Sequence, residues 1–215
     1  QYHKFSDRHI LVVETDMPYF DVLKVVVLSD KIRKAGNELV RLMRKNYDQL
    51  LRTKRYCKLL FLYGITEDKS KRKILANQLN EMQKAYHVTW DYCRTFMIPI
   101  GKKYGIDAIF ALTKAEDIWR GVEKCLYGNG NTIHFSKYGE LPCIRAKQKN
   151  RGIPVSVKDD KLQFKLGKTA FGIQVNDRFQ QDEVDDILTY LTESEIVDHK
   201  AVNTLIEDTY CIDTY

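Results

Sequence analysis

The stretch "DKIRKAGNELVRLMRKNYDQLLRTKRYCKLLFLYG", residues 30–64, constrains the fold more than any other part of this chain. Ile32, Ala35, Leu39, Met43, Tyr47, Leu50 and Leu51 recur at three- and four-residue steps, so they share one stripe of an α-helix. The pattern predicts a single amphipathic helix over about residues 30–62, stopped by Gly64. Its opposite face carries Lys34, Arg41, Lys45 and Arg52 as a ridge of positive charge.

Two more stripes follow. "TEDKSKRKILANQLNEMQKAYHV" opens at Thr66 as a cap and repeats Ile74, Leu75, Leu79, Met82 and Tyr86, which predicts a helix over 67–86. "IDAIFALTKAEDIWRGVEKCLYG" runs from a cap at Asp107 to Gly128 with Ile109, Leu112, Ala115, Trp119, Val122 and Leu126 on one face, a helix over 107–127. Between them "TWDYCRTFMIPIGKKYG" reads as a shorter helix limited by Pro99. Upstream, "HILVVET" (residues 9–15) is a candidate strand. "VLKVVVLSD" is either a second strand or the entry to the long helix, capped at Ser29 or Asp30.

Past Gly130 the period changes to short strands: "TIHF", "CIRA", "IPVSV", "KLQFKL" and "FGIQV". "VSVKDDKLQFKL" reads as a hairpin with Asp159-Asp160 in its turn. Two acidic helical patterns close the chain, the second opening on Thr192-x-x-Glu195, a capping box. Sheet pieces this small are not stable alone. The expected solution is an α+β fold in which residues 9–15 join the later strands in one small antiparallel barrel, with the helices as an insertion.

Charge is segregated. The net charge is +6, yet basic residues dominate Lys31–Lys58 and Lys137–Lys168, while acidic ones dominate from Asp177 to Asp213. Two basic blocks suggest a polyanionic partner; the plain alternative is a solvated surface. "IHFSKYGELPCIRAKQKNR" interleaves His134, Lys137, Arg145, Lys147, Lys149 and Arg151 with the rings of Phe135 and Tyr138. Cations follow a phosphate backbone and rings stack on unpaired bases, so this texture suits structured or single-stranded RNA. Phe135 and Tyr138 serve equally well as core residues. The candidate nucleic-acid-binding set adds Lys31, Arg33, Lys34, Arg41, Arg44, Lys45, Arg52, Arg55 and Arg120.

Other chemistry finds little support. The hydrophobic fraction is 44% and no apolar run reaches membrane length, so no membrane partner is expected. The odd number of cysteines (57, 93, 125, 143 and 211), without a C-x-x-C pair, points to free thiols in a reducing compartment. The five histidines are scattered, no phosphate-binding loop or G-x-S-x-G occurs, and "GNGNTIHF" reads as a helix C-cap and turn. A Cys143–His134 pair lacks a third, orienting group. No catalytic or metal-binding residue is assigned. The rival candidate is Asp213 in "CIDTY", in the strand-end setting of a metal-dependent nuclease.

The stretch "KAEDIWRGVEKCLYGNGNTIHFSKYGELPCIRAK" resembles the junction between helical and strand-rich parts in the TnpB (OrfB) family of transposon-encoded RNA-guided nucleases and the related type V CRISPR effectors. Asp117, Trp119, Leu126, Phe135, Lys137 and Arg145 stand at the corresponding places. "AGNELVRLMRKNYDQLL" is similar to the first helix of that family's recognition lobe, and the likeness covers about residues 9–175. Ile133-His134 replaces an expected Pro, and the acidic helices from 182 have no counterpart.

The resemblance implies a wedge domain, an OB-like antiparallel β-barrel interrupted by a helical recognition domain. Its parts would be residues 1–28 and 131–180 for the barrel, 29–130 for the helical insertion and 181–215 for an acidic segment. It implies guide RNA and target DNA as partners, bound as an RNA scaffold and a guide–target heteroduplex, in the cytoplasm of a bacterium or archaeon. The family's carboxylates and their Mg²⁺ belong to a RuvC-like nuclease domain of the same polypeptide beyond these residues. The chain, which starts without Met, would then be an excised binding lobe needing no cofactor of its own and cutting nothing alone. The alternative is a helical protein-interaction module whose basic surface meets an acidic partner.

Overall fold

The long apolar stripe folds as two helices, not one. The computed structural model describes residues 19–128, 130–139, 144–146, 155–158, 161–166, 169–172 and 210–212. Helix α1 spans Tyr19–Leu51 and α2 spans Lys54–Ile65. Between them Thr53 is extended (φ −81°, ψ 110°), and its N–H donates to the Leu50 carbonyl in a tightened last turn. Tyr56 and Leu59 of α2 remain buried, so the apolar stripe passes through the break. One extended residue leaves no mark on helical spacing, which is why the sequence reads as continuous.

Helix α1 also starts well before residue 30. The run Val25-Val26-Val27 favours a strand locally. Yet Val25 lies one helical stripe with Ser29 and Ile32, and all three are buried. Tertiary burial outweighs a propensity difference of under about 1 kcal/mol per residue. "VLKVVVLSD" is therefore helical, and neither Ser29 nor Asp30 is a cap.

Helix α3 (Lys69–Ala85) is capped by Asp68, whose carboxylate accepts from the Lys71 N–H at 2.9 Å. The expected cap, Thr66, instead follows α2 and donates its hydroxyl to the Leu62 carbonyl at 2.6 Å. Helix α4 (Trp90–Tyr104) passes through Pro99 and ends at Gly105, which takes the left-handed conformation (φ 64°). Pro99 is exposed, so water can reach the Thr95 carbonyl that the proline leaves without an amide partner. Helix α5 (Ala108–Tyr127) has the expected cap, with Asp107 accepting from the Ile109 N–H at 2.9 Å, and ends at Gly128.

The helices α4 and α5 form a tight hairpin. A Cβ on Gly101 would lie 2.9 Å from the Cβ of Ala111, so the absent side chain is what permits the approach. Helix α1 lies against this hairpin: Glu38 accepts from Lys103 Nζ at 2.7 Å and from the Tyr104 hydroxyl at 2.9 Å, and the Tyr47 hydroxyl donates to the Cys125 carbonyl at 2.9 Å. Ile32, Ala35, Leu39, Met43 and Leu50 of α1, Cys93 and Met97 of α4, and Ala115 and Val122 of α5 make the core. Burying each Leu, Ile, Val or Met contributes roughly 1.5–3 kcal/mol, far more than any surface pair. These helices, from Val25 on, belong to one compact unit, Val25–Arg145 with Cys211–Tyr215; a second unit comprises Gln1–Lys24 and Ala146–Tyr210.

This helical bundle overturns the expected OB-like β-barrel. The described strands are short and form two separate sheets. Strand β1 (Ile144–Ala146) pairs with β5 (Tyr210–Ile212), while β2 (Val155–Lys158), β3 (Lys161–Leu166) and β4 (Thr169–Gly172) form an antiparallel three-stranded meander. The expected hairpin is present, with Lys158 opposite Lys161 and Val155 opposite Phe164. Closing a barrel requires every strand to be paired on both sides with a shared stagger, and β2 and β4 each have one described neighbour. Residues 9–15 and the acidic patterns of 182–209 lie outside the described residues. "TIHF" is not a strand: Asn37 of α1 takes up the backbone of Ser136, donating to its carbonyl and accepting from its N–H, both at 2.9 Å. Among the described residues no helix is long and apolar enough to cross a membrane.

Two carboxylates on α1 link this unit to pH. Lys34 and Arg33 hold the Asp30 carboxyl below its usual range, and Lys103 and Tyr104 do the same for Glu38. The folded protein therefore binds fewer protons here than the unfolded chain. Their stabilisation is complete above the unfolded values, near 3.8 and 4.5, and is lost as pH falls through the lower folded values. The urea midpoint is expected to drop between pH 5 and pH 3, about where carboxylates titrate, and Asp30→Asn with Glu38→Gln should flatten that drop. An equal drop in the double variant would place the acid sensitivity elsewhere.

Candidate nucleic-acid interface

Helical spacing puts Lys31, Lys34, Arg41 and Lys45 on the outer side of α1, Arg52 follows directly after its last residue, and all five are exposed. At 1.5 Å per residue the ridge from Lys31 to Arg52 runs roughly 30 Å. Its charges are not equivalent. Lys34 is paired with Asp30 at 2.7 Å. No described carboxylate lies within ion-pairing distance of Lys31, Arg41, Lys45 or Arg52.

The lower half of this ridge borders a cleft. Arg41, Arg44, Lys45, Asp48, Gln49 and Arg52 form one side and Asn131, Thr132 and Phe135 the other, around about 500 Å³ of open space. Four cations face the single carboxylate of Asp48 there. Arg44 is held from two directions: its guanidinium donates to the Thr132 hydroxyl and lies over the Phe135 ring, 4.9 Å from the ring centre. A fixed guanidinium loses less rotamer freedom on meeting an anion than a free one does. Ile133, 3% exposed, and Ser136, clamped by Asn37, fix the opposite wall.

The remaining candidates divide. Arg33 is only 7% exposed and is bound to Asp30 through both Nε and Nη2 (3.0 and 2.8 Å), so it orders the helix surface and does not face a ligand. Its guanidinium lies 5.5 Å from the centre of the Tyr138 ring, yet that ring stands 93% exposed, so the contact is loose. Tyr138 is not a core residue. Arg120 pairs with Glu116 along α5 at 3.3 Å. Arg55 lines a different hollow, with Gln78, Glu81 and Met82. His134 and Lys137 are exposed beside the cleft segment, and Arg145 falls in β1. Lys147, Lys149 and Arg151 lie outside the described residues, as does Asp213. Thr132 and Asn37 carried no sequence signal of their own, since the partner of each, Arg44 and Ser136, is 88 and 99 residues away in the chain.

Among the described residues no three His, Cys, Asp or Glu side chains come together as a metal site. Cys93 is fully buried and its thiol is pushed up to about 12 by burial, so it is an inert packing residue. His87 takes a left-handed backbone (φ 58°) in the α3–α4 turn, exposed, with its ring centre 4.2 Å from that of Tyr92. The chain matches no protein-family model, no curated protein and no solved structure.

Proposed function

We propose that the helical unit binds RNA through the cleft beside α1, as the polyanion-binding part of a nucleic-acid-binding protein. The observation behind this reading is the cleft itself: Arg41, Lys45 and Arg52, none within ion-pairing distance of a described carboxylate, converge with a pre-oriented Arg44 on an exposed ring. Elsewhere on these helices Lys84, Arg94, Lys103 and Arg120 each face a carboxylate; Lys58 and Lys71 have no described ion-pair partner either, so what distinguishes the cleft is that four cations border it. Cations without such partners are the ones able to release counterions from a phosphate backbone. A guide RNA scaffold is the RNA that the TnpB resemblance implies, with a guide–target heteroduplex as a second ligand.

The test is binding of a structured RNA by the full chain across a salt series. Log affinity should fall linearly with log salt, by about 0.7–0.9 for each phosphate contacted. Absence of binding at low salt would end the proposal. A protein-interaction role has its own observation, the exposed Phe61, Ile65 and Ile74 on the α2–α3 hairpin (66%, 60% and 58%). It would lead if RNA were ignored.

A further inference from the structure

We propose that the cleft takes an unpaired nucleotide, with its base stacked on Phe135 and its flanking phosphates held by Arg41, Lys45 and Arg52, so that the site prefers single-stranded or looped RNA to duplex. The inference rests on the RNA-binding reading above and specifies the form of RNA that this site accepts.

Phe135 is a large apolar ring that is 40% exposed at a place where the backbone is fixed on both sides. Ile133 is buried two residues before it, and Ser136 is clamped by Asn37 directly after it. Its exposure is thus set by the packing around it, not by a loop end swinging free. The Arg44 guanidinium lies over the ring 4.9 Å from its centre and is itself held by Thr132. With a cation on the ring and 40% of the residue still exposed, Phe135 keeps surface that a second flat group can cover.

Surrounding groups say which flat group fits. The cleft is open to solvent and, at about 500 Å³, falls in the size range of small-molecule sites. The cations bordering it would repel a bare cationic ligand and favour one carrying phosphate. Gln49 and Asn131 at the wall carry amides that can both donate to and accept from a base edge. The Tyr47 hydroxyl takes no part, because it is already given to the Cys125 carbonyl. In A-form duplex RNA the base faces are consumed by stacking, so Phe135 would find nothing to cover; an unpaired base offers its face.

The experiment measures binding of the full chain to a short oligouridylate, which is unstructured, and to a mixed-sequence RNA duplex, at matched salt. Wild type should bind the single strand more tightly. Phe135→Ala and the volume-preserving Phe135→Leu should each weaken single-strand binding by about five- to a hundredfold, the effect of one lost base–aromatic stack. Duplex affinity should fall less, because for that ligand only the Arg44 packed on this ring is disturbed, and Phe135→Trp should keep the single-strand preference. An unchanged ratio of single-strand to duplex affinity in Phe135→Leu would overturn the stacking inference. The RNA-binding reading would survive that result if Arg41→Ala/Lys45→Ala/Arg52→Ala still lost salt-dependent binding to both ligands. Unaltered binding of both by that triple variant would remove both proposals.

Discussion

Replacing Arg41, Lys45 and Arg52 together by alanine should flatten the salt dependence of RNA binding by about 2–3 in the slope of log affinity against log salt. The figure follows from three phosphate contacts at roughly 0.7–0.9 each. Across a fourfold rise in salt, the variant would then lose roughly twenty- to fortyfold less affinity than the wild type does. The fold should not suffer. All three side chains are exposed and none bonds a described carboxylate, and at Arg41 and Lys45, inside α1, alanine is the strongest helix former. Arg94→Ala is the matching control: it removes a cation that already faces Asp91 on α4, so the slope should be unmoved. A triple variant with the wild-type slope would show that the ridge is solvated surface, and the protein-interaction reading would then lead.

This contrast also marks what the sequence could and could not disclose. The ridge was legible, because charge at three- and four-residue steps is a property of one helix. Lys34 and Arg120 were placed in the binding set although Asp30 and Glu116 stand four residues away, at pairing distance on a helix, and that spacing was the overlooked sign of their neutralisation. The arrival of Thr132 and Phe135 at Arg44 was not legible, because nothing local encodes a contact between residues so far apart. The fold divides the same way. Helix α5 and the β2–β3 hairpin carry their own caps and turn and were found where expected. The break at Thr53, the early start of α1 and the survival of α4 past Pro99 all depend on what packs against the helix. The barrel failed for a related reason. Alternating residues mark a strand, but whether strands share one sheet is decided by register between distant segments, which alternation does not specify.

The largest expected effect on stability comes from one buried amide. Gln83 of α3 is 4% exposed; its Nε2 donates to the Tyr56 hydroxyl of α2 at 3.3 Å and its Oε1 accepts from the Tyr127 hydroxyl of α5 at 2.7 Å. One side chain thus ties three helices through groups at different depths. Tyr56 is 1% exposed, whereas Tyr127 is 61% exposed, so water can replace the bond to Tyr127 but not the bond to Tyr56. Gln83→Leu keeps the volume and leaves the Tyr56 hydroxyl buried without this partner, at a cost of about 1–3 kcal/mol. Tyr56→Phe alone removes the hydroxyl and leaves the Gln83 amide one bond short, a loss of about 1 kcal/mol. Together the two changes remove both polar groups, and the pair should cost less than the sum of the singles by roughly 1 kcal/mol or more. Urea denaturation of the four proteins in the cycle reads this directly. Strict additivity would mean that the Tyr56 hydroxyl reaches another partner when Gln83 is gone, and that the amide does not hold α2 and α3 together.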